Sequence, residues 1–229
     1  MNRIVENITY VRHRIEKAAL ATHRDPHTIK LLAVSKTQPA ENIRQAFTAG
    51  LQAFGENYLQ EALDKMQLLD DLIIEWHFIG PAQSNKTKQI AEQFTWVHSL
   101  DRIKIAERLN SQRPASLAPL NVCIQVNLNN ESSKSGISPR EVKALAKAIL
   151  PLKRLKLRGL MAIPAPTQDI LLQHKNFRAL KEILLELHTL NSKIDTLSMG
   201  MSEDLEAAIA EGASIVRIGT AIFGARHIG

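Results

Sequence analysis

The residue best suited to covalent chemistry is Lys36, at the end of a short apolar run. The run Lys30–Lys36 has the length and composition of a parallel strand covered on both faces. Beside an apolar interior, desolvation disfavours the ammonium form of a lysine, which makes the amine a better nucleophile towards carbonyl groups. The structural alternative is a lysine whose stem crosses apolar surface and whose charged end reaches solvent.

Two later segments carry residue types that bind anions. The segment Leu197–Ser202 precedes a helical pattern, and Val216–Thr220 runs into the short segment Ala221–Gly224. Both offer hydroxyls and backbone N–H groups at a helix N-terminus, where the unpaired amides and the helix dipole favour an anion such as phosphate. Two ordinary turns, capped by Ser202 and Thr220, would account for the same residues.

A carbonyl-seeking amine and a phosphate site together suggest a phosphorylated aldehyde. Pyridoxal 5′-phosphate is the common biological ligand of that description. Arg217 stands between the two anion-binding segments in the sequence, and a guanidinium group only donates hydrogen bonds. Opposite the pyridine nitrogen, Arg217 would keep that nitrogen unprotonated and the ring a poor electron sink.

These residues can form one site only in a fold that brings the ends of strands together. The chain alternates short β-rich runs with longer helical patterns, as such a fold requires. Glycines at positions 50 and 212 stand where helices should end. The predicted strands are Lys30–Lys36, Leu51–Gly55, Ile74–Gly80, Phe94–Ser99, Asn121–Asn127, Lys156–Ile163, Thr196–Gly200 and Ser214–Gly219.

Eight strands joined by mostly helical segments predict an α/β fold, a closed (β/α)8 TIM barrel. A doubly wound open sheet is the alternative, although it more often has about five to seven strands. In a closed barrel strand one adjoins strand eight, so Lys36 and Thr220 would share the C-terminal mouth. The spacing of Ile4, Ile8 and Val11 predicts an extra N-terminal helix. Without a composition break, we expect one domain over 1–229.

Composition excludes several classes of protein. The chain has 29 basic and 23 acidic residues among 229, a mild excess of interspersed charge that is typical of a solvated surface. Only 4% of residues are aromatic, which argues against nucleic-acid binding. No apolar run approaches the roughly 18 residues of a membrane span, and no signal peptide is expected. Cys123 is the only cysteine, as befits a reducing cytoplasm.

Metal binding is also disfavoured, because the histidines lack the spacing of metal ligands. We expect no metal in the site. His77, at the predicted end of the third strand, is a candidate for hydrogen bonding in the barrel mouth, with a structural role as the alternative.

Short motifs spread along nearly the whole chain are specific in their order and spacing. They are Ala33–Lys36, Phe54–Tyr58, His77–Gly80, Gln83–Lys86, Ser133–Gly136, Gly159–Pro164, Leu197–Ser202 and Val216–Gly224. With them the chain resembles the YggS/PROSC family of pyridoxal-phosphate-binding homeostasis proteins, which is itself similar to the barrel domain of alanine racemase. Ala82 and the segment Leu128-Asn129-Asn130 depart from the family pattern, and both departures concern the mouth of the barrel.

The resemblance implies roles for individual residues. Lys36 matches the lysine that forms the Schiff base with pyridoxal 5′-phosphate, and Arg217 matches the arginine beside the pyridine nitrogen. Phosphate-binding positions match Ser198, Ser202, Gly219 and Thr220. Residues lining the cofactor match Asn57 and Met199.

By the same resemblance, the chain would be a cytoplasmic carrier or regulator of pyridoxal phosphate, without strong catalytic activity. It would contact cofactor-dependent apoenzymes transiently, as a monomer or weak dimer, and bind neither nucleic acid nor membranes. A cofactor-dependent amino-acid racemase is the alternative. That reaction usually takes a second base, a tyrosine, from a C-terminal domain, which we do not expect in a sequence ending at Gly229. Of the two tyrosines, Tyr10 and Tyr58, the latter keeps the racemase hypothesis open.

Overall fold

The computed structural model describes residues 3–129 and 135–224, which form a closed barrel. Within these residues eight parallel strands pair in chain order, and β1 pairs with β8 to close the sheet. The strands are β1 Lys30–Val34, β2 Ala53–Glu56, β3 Glu75–Phe78, β4 Trp96–Leu100, β5 Leu120–Val126, β6 Leu155–Ala162, β7 Thr196–Ser198 and β8 Ile215–Ile218. The predicted (β/α)8 barrel is confirmed, and the open sheet is wrong.

Helices connect the strands and surround the barrel. They are α1 Arg3–Ala21, α2 Ala40–Thr48, α3 Leu59–Leu68, α4 Thr87–Gln93, α5 Ile103–Gln112, α6 Val142–Ile149, α7 Ile170–His188, α8 Leu205–Ala210 and α9 Thr220–Phe223. Single 3-10 turns occur at Pro26–Thr28 and Pro139–Glu141. Gly50 and Gly212 follow α2 and α8 with φ values of 85° and 105°, so their positions as helix stops are confirmed.

Two predicted strands, Lys30–Lys36 and Thr196–Gly200, extend beyond β1 and β7 at their C-terminal ends, next to the site residues. β1 ends at Val34, and the next residues turn, because Thr37 has a φ of 63° and the Gln38 amide donates to the Ser35 carbonyl at 3.0 Å. β7 ends at Ser198, and Gly200 leaves the extended conformation with a φ of 94°. Lys36 therefore lies on a turn beyond the strand rather than within it.

Helix α1 forms as its hydrophobic spacing predicted, with Ile4, Ile8 and Val11 buried. It also bonds to the segments that follow β7 and β8, including α8 and α9. Arg14 donates to Glu206 at 2.7 Å and to the Ser202 carbonyl at 2.9 Å. Asn7 donates to the Ile222 carbonyl at 2.8 Å. The additional helix thus fixes both segments against the barrel wall.

The hydrophobic core has two layers. The larger layer lies between the strands and the helices, and α7 contributes Phe177, Leu180, Leu184 and Leu187 there, spaced three to four residues apart. The smaller layer fills the barrel interior and consists of Leu32, Ala53, Trp96, Cys123, Met161 and Ile215. Burial raises the pKa of the Cys123 thiol to about 12, which leaves it unreactive.

Some predictions fall on residues that the structure does not describe. Asn130, Ser133 and Lys134 lie outside the described residues, as do the final five positions of the expected 1–229 domain. None of the helices in the described ranges is both long and apolar enough to cross a membrane. In the same ranges, no group of three or more His, Cys, Asp or Glu side chains is placed to hold a metal ion.

Candidate functional site

A cavity of about 470 Å³ opens at the C-terminal ends of the strands. This volume lies within the usual range for small-molecule sites. It collects six of the predicted site residues: Lys36, Asn57, Ser202, Arg217, Gly219 and Thr220. A larger cavity of about 620 Å³ lies beside the N-terminal ends of β1 to β3, but none of the predicted site residues lines it. The smaller cavity is therefore the candidate functional site, because the predicted site residues line it.

The turn that carries Lys36 is held from behind by a buried hydrogen-bonded cluster. Ser35, next to the lysine, donates from Oγ to Oε1 of Glu56 at 2.6 Å and accepts at its carbonyl from Nζ of Lys65 at 2.7 Å. On the other side, the amide of Thr37 donates to Glu61 at 2.5 Å. Both neighbours of Lys36 are fixed, so the scaffold sets the position of its backbone, and the side chain is half-buried.

Lys65 is the centre of that cluster. Its Nζ donates to Glu56 at 2.8 Å and to Glu61 at 2.5 Å, and the Glu56 carboxylate is fully buried. Burial raises the pKa of Glu56, and Lys65 opposes the shift as the nearby cation. Oε2 of Glu56 has no hydrogen-bond partner among the described residues. The cluster thus depends on Lys65 to keep a buried carboxylate charged.

The loop after β7 is shaped by a glycine and an aspartate. A side chain at Gly200 would place its Cβ atom 2.6 Å from that of Ala208, so only glycine lets α8 pack this close. Asp204 accepts from the Met201 amide at 2.6 Å and closes the turn. Burial raises the pKa of Asp204. The resulting turn places Ser202 at the cavity.

The loop after β8 approaches the end of β1 closely. A Cβ atom at Gly219 would lie 3.2 Å from the Val34 carbonyl oxygen, and the Gly219 carbonyl accepts from the amides of Ile222 and Phe223 at 2.9 Å each. Thr220 is exposed at the cavity rim. The two loops touch where the Ala221 amide donates weakly to Oγ of Ser202 at 3.4 Å. Two hydroxyls and a glycine thus line one side of the cavity.

Arg217 forms the inner wall of the cavity. Its Nη1 donates to the carbonyl and to Oγ of Ser198, at 2.5 and 2.8 Å, and its Nη2 donates to the Ala162 carbonyl at 2.9 Å. Burial lowers the pKa of Arg217 to about 10, so the guanidinium stays charged near neutral pH. The group presents a fixed donor to the cavity.

Two predicted residues do not line the cavity. Ser198 is fully buried beneath Arg217, where its Oγ accepts from the guanidinium and also bonds to His98. Met199 directly follows the end of β7, and its buried side chain belongs to the core layer between sheet and helices. Ser202 lies beyond the turn at Gly200 and lines the cavity. The Ser198 hydroxyl and the Met199 side chain are therefore not among the groups that line the cavity.

The two departures from the family pattern lie in different places. Ala82 is buried in the outer core, so its expected effect on the mouth is indirect. Leu128 packs against that core, and Asn129 is exposed. Asn57 lines the cavity with its backbone against Gly80, where an added Cβ atom would come within 2.0 Å of the Asn57 carbonyl oxygen. The next residue, Tyr58, is exposed and does not line the cavity.

The sequence interpretation missed a polar network inside the barrel. His77 was considered alone, as a hydrogen-bonding residue of the barrel mouth or as a structural residue, and its burial agrees with the structural alternative. His77 is fully buried below the cavity, where it bonds to Glu75 and His98. The signal in the sequence was the alternation Glu75-x-His77 and Trp96-x-His98, because every second residue of a barrel strand faces inward.

Comparisons with known proteins agree with this architecture. Residues 7–227 match the family model described as alanine racemase, N-terminal domain. The chain is 62% identical to the pyridoxal phosphate homeostasis protein of Pseudomonas aeruginosa, covering 100% of this chain and 98% of that one. The Escherichia coli protein of the same name is 54% identical, with 99% and 98% covered.

Solved structures give the same relationship. PipY of Synechococcus elongatus PCC7942 with pyridoxal phosphate bound superposes with a TM-score of 0.86 at 34% identity, covering 96% of this chain and 100% of that chain. Alanine racemase from Corynebacterium glutamicum has a TM-score of 0.71 at 17% identity, with 98% and 61% covered, which shows a shared fold. The chain therefore belongs to the family of pyridoxal phosphate homeostasis proteins, built on the barrel of the alanine racemase N-terminal domain.

Proposed function

We propose that this protein binds pyridoxal 5′-phosphate at the barrel mouth, linked covalently to Lys36, and acts in cofactor homeostasis by holding and handing on the bound molecule. One observation carries the proposal: an amine, a guanidinium and two hydroxyls line a single cavity of about 470 Å³. The names of the relatives support it, because proteins 62% and 54% identical are called pyridoxal phosphate homeostasis proteins.

The residues at the cavity fit this ligand in kind. The amine of Lys36 suits an aldehyde, and the donor-only guanidinium of Arg217 suits an unprotonated pyridine nitrogen. We assign the phosphate to Ser202, Gly219 and Thr220, where hydroxyls and backbone amides can donate to it. Asn57 lines the remaining side. Ser198 then acts through Arg217 rather than on the phosphate.

The proposed covalent link between Lys36 and pyridoxal phosphate forms reversibly. The Lys36 amine adds to the aldehyde carbon, a C=N bond replaces the C=O bond, and one water leaves. Water reverses the same step, so no oxidant or reductant is needed. When bound, pyridoxal phosphate would supply an electrophilic aldehyde and an aromatic ring. The link sequesters an aldehyde that otherwise reacts with any amine, and hydrolysis releases it intact.

We further infer that the protein has no strong catalytic activity of its own. A racemase needs a base on each face of the substrate carbon, and neither tyrosine lines the cavity: Tyr10 and Tyr58 are 62% and 57% exposed. A pyridine nitrogen facing Arg217 remains unprotonated, which weakens the ring as an electron sink. Both features favour a carrier over the racemase alternative.

The proposal places the protein in the cytoplasm, in transient contact with apoenzymes that need the cofactor, as a monomer or weak dimer. The deciding experiment mixes the loaded protein with such an apoenzyme and follows its activation. Free cofactor at equal concentration and Lys36→Ala protein serve as references. We expect activation by the loaded protein and none by the variant after unbound cofactor is removed. Failure to activate, with normal vitamin B6 pools in cells lacking the protein, would overturn the homeostasis role.

A further inference from the structure

An unbroken line of side-chain hydrogen bonds crosses the barrel interior from the cofactor cavity to the opposite end. Oγ of Ser198 accepts from Arg217 at 2.8 Å and lies 2.8 Å from Nδ1 of His98. Nε2 of His98 lies 2.8 Å from Nδ1 of His77, and Nε2 of His77 lies 2.6 Å from Glu75. We call Ser198, His98, His77 and Glu75 the barrel chain.

The far end of the barrel chain is an ion pair. Lys30 donates from Nζ to the same Glu75 oxygen at 2.5 Å, and both side chains are partly exposed beside the N-terminal cavity. The hydrogen bond from His77, followed by that from Lys30, lowers the pKa of Glu75 to about 2 although burial opposes the shift. Glu75 is therefore a carboxylate that only accepts hydrogen bonds.

With neutral imidazole rings, the acceptor-only Glu75 fixes the direction of every bond in the barrel chain. Arg217 donates a hydrogen bond to the Ser198 oxygen, and Ser198 donates to Nδ1 of His98. His98 donates from Nε2 to Nδ1 of His77, and His77 donates from Nε2 to Glu75. Both rings are then neutral with the proton on Nε2. The opposite direction between Ser198 and His77 would require a doubly protonated His77. Burial lowers the pKa of His77 and of His98, which disfavours that state.

We propose that the barrel chain positions Arg217, holding one edge of its guanidinium so that a remaining N–H faces an aromatic nitrogen acceptor in the cavity. Ser198 takes Nη1, the Ala162 carbonyl takes Nη2, and His98 keeps the Ser198 hydroxyl turned away from the guanidinium. The barrel chain would thereby make the site specific for a pyridine ring over a benzene ring of the same shape. This inference rests on the proposed function and adds to it a set of positioning residues.

The first test determines the protonation of the two histidines of the barrel chain in the absence of any ligand. Nitrogen-15 NMR of the imidazole side chains in the wild-type protein near pH 7.5 should show His77 and His98 neutral, each with the proton on Nε2. A proton on Nδ1 of His98, or a doubly protonated His77, would overturn the assigned direction and with it the positioning role.

The second test compares two ligands and matched variants. Wild-type protein should bind pyridoxal phosphate more tightly than its analogue with carbon in place of the ring nitrogen. His98→Leu should reduce this preference by roughly tenfold, the effect expected for losing one buried charge-assisted hydrogen bond. His98→Gln should restore it, because a glutamine amide can accept from Ser198 and donate to His77. His174→Gln is the control, since His174 pairs with Glu211 at 2.8 Å outside the barrel.

The outcomes separate the two proposals. Full preference in His98→Leu, alongside tight binding by wild type, refutes the positioning role and leaves the proposed function intact. A wild-type protein that binds neither ligand refutes the proposed function, and the positioning role falls with it. If His98→Leu does not fold, Ser198→Ala interrupts the barrel chain with a smaller change and should lower the preference in the same way.

Discussion

Nδ1 of His77 lies 2.8 Å from Nε2 of His98 inside the closed barrel, so one ring must accept a hydrogen bond from the other. Two protonated rings could not face each other this way. Because burial also lowers the pKa of both, folding selects neutral histidines at the centre of the molecule. This relationship makes stability depend on pH.

We expect the free energy of unfolding to fall as the pH drops below 6.5, the ordinary histidine value. The folded-state pKa is lowered, so the contribution is present above that pH and is lost as the unfolded chain takes up protons on acidification. The slope reaches at most about 1.4 kcal/mol per pH unit for each histidine. Urea unfolding at several pH values between 7.5 and 5 measures it. His98→Gln should show a shallower slope, and an unchanged slope would refute the assignment.

Removing Lys65 should strongly destabilise the protein. Lys65→Met leaves the fully buried Glu56 without its cation, which costs about 3–5 kcal/mol. Lys88→Met is the matched control, because Lys88 forms only an exposed contact with Glu92 at 3.9 Å and should change stability by less than about 0.5 kcal/mol. Denaturant unfolding compares the two. Equal losses would show that the cluster behind Lys36 contributes no more than a surface pair.

Thr220→Ala should weaken binding of pyridoxal phosphate by about 1–3 kcal/mol if its hydroxyl donates to the phosphate. Pyridoxal without the phosphate should bind weakly to wild type and be insensitive to the substitution. Thr189→Ala, at the end of α7, removes a hydroxyl bonded only locally to Glu186 and serves as the control. Titration with both ligands decides the assignment, and an equal effect on both would place the phosphate elsewhere.

Loaded protein should not racemise amino acids. Single enantiomers incubated in deuterated water should keep their α-hydrogen, because neither tyrosine lines the cavity and Arg217 does not protonate the ring. Mass spectrometry and chiral chromatography detect exchange. Turnover at ordinary enzymatic rates would favour the racemase alternative.

Much of the fold could be predicted from the sequence because parallel barrel strands are nearly continuous apolar runs, and helix stops such as Gly50 and Gly212 have a distinct requirement for positive φ. The convergence of Lys36 with Thr220 also followed from the sequence, since β1 adjoins β8 in any closed barrel. Periodicity alone was sufficient for these features.

The remaining features depended on where strands end and which face a residue takes. Ser198 ends β7 with its hydroxyl in the barrel interior, whereas Met199 packs into the outer core, and the turn at Thr37 moves Lys36 beyond its strand. The bond between His98 on β4 and Ser198 on β7 joins residues 100 positions apart, across the barrel interior. No local pattern predicts such a contact.

The central claim is that Lys36 binds pyridoxal phosphate covalently, and one measurement tests it most directly. The protein is incubated with the cofactor, reduced with borohydride and digested, and the modified peptide is identified by mass spectrometry. The adduct should lie on the peptide containing Lys36, remain in Lys88→Ala and be absent from Lys36→Ala. An adduct found solely on another lysine, or no adduct with saturating cofactor, would contradict the claim.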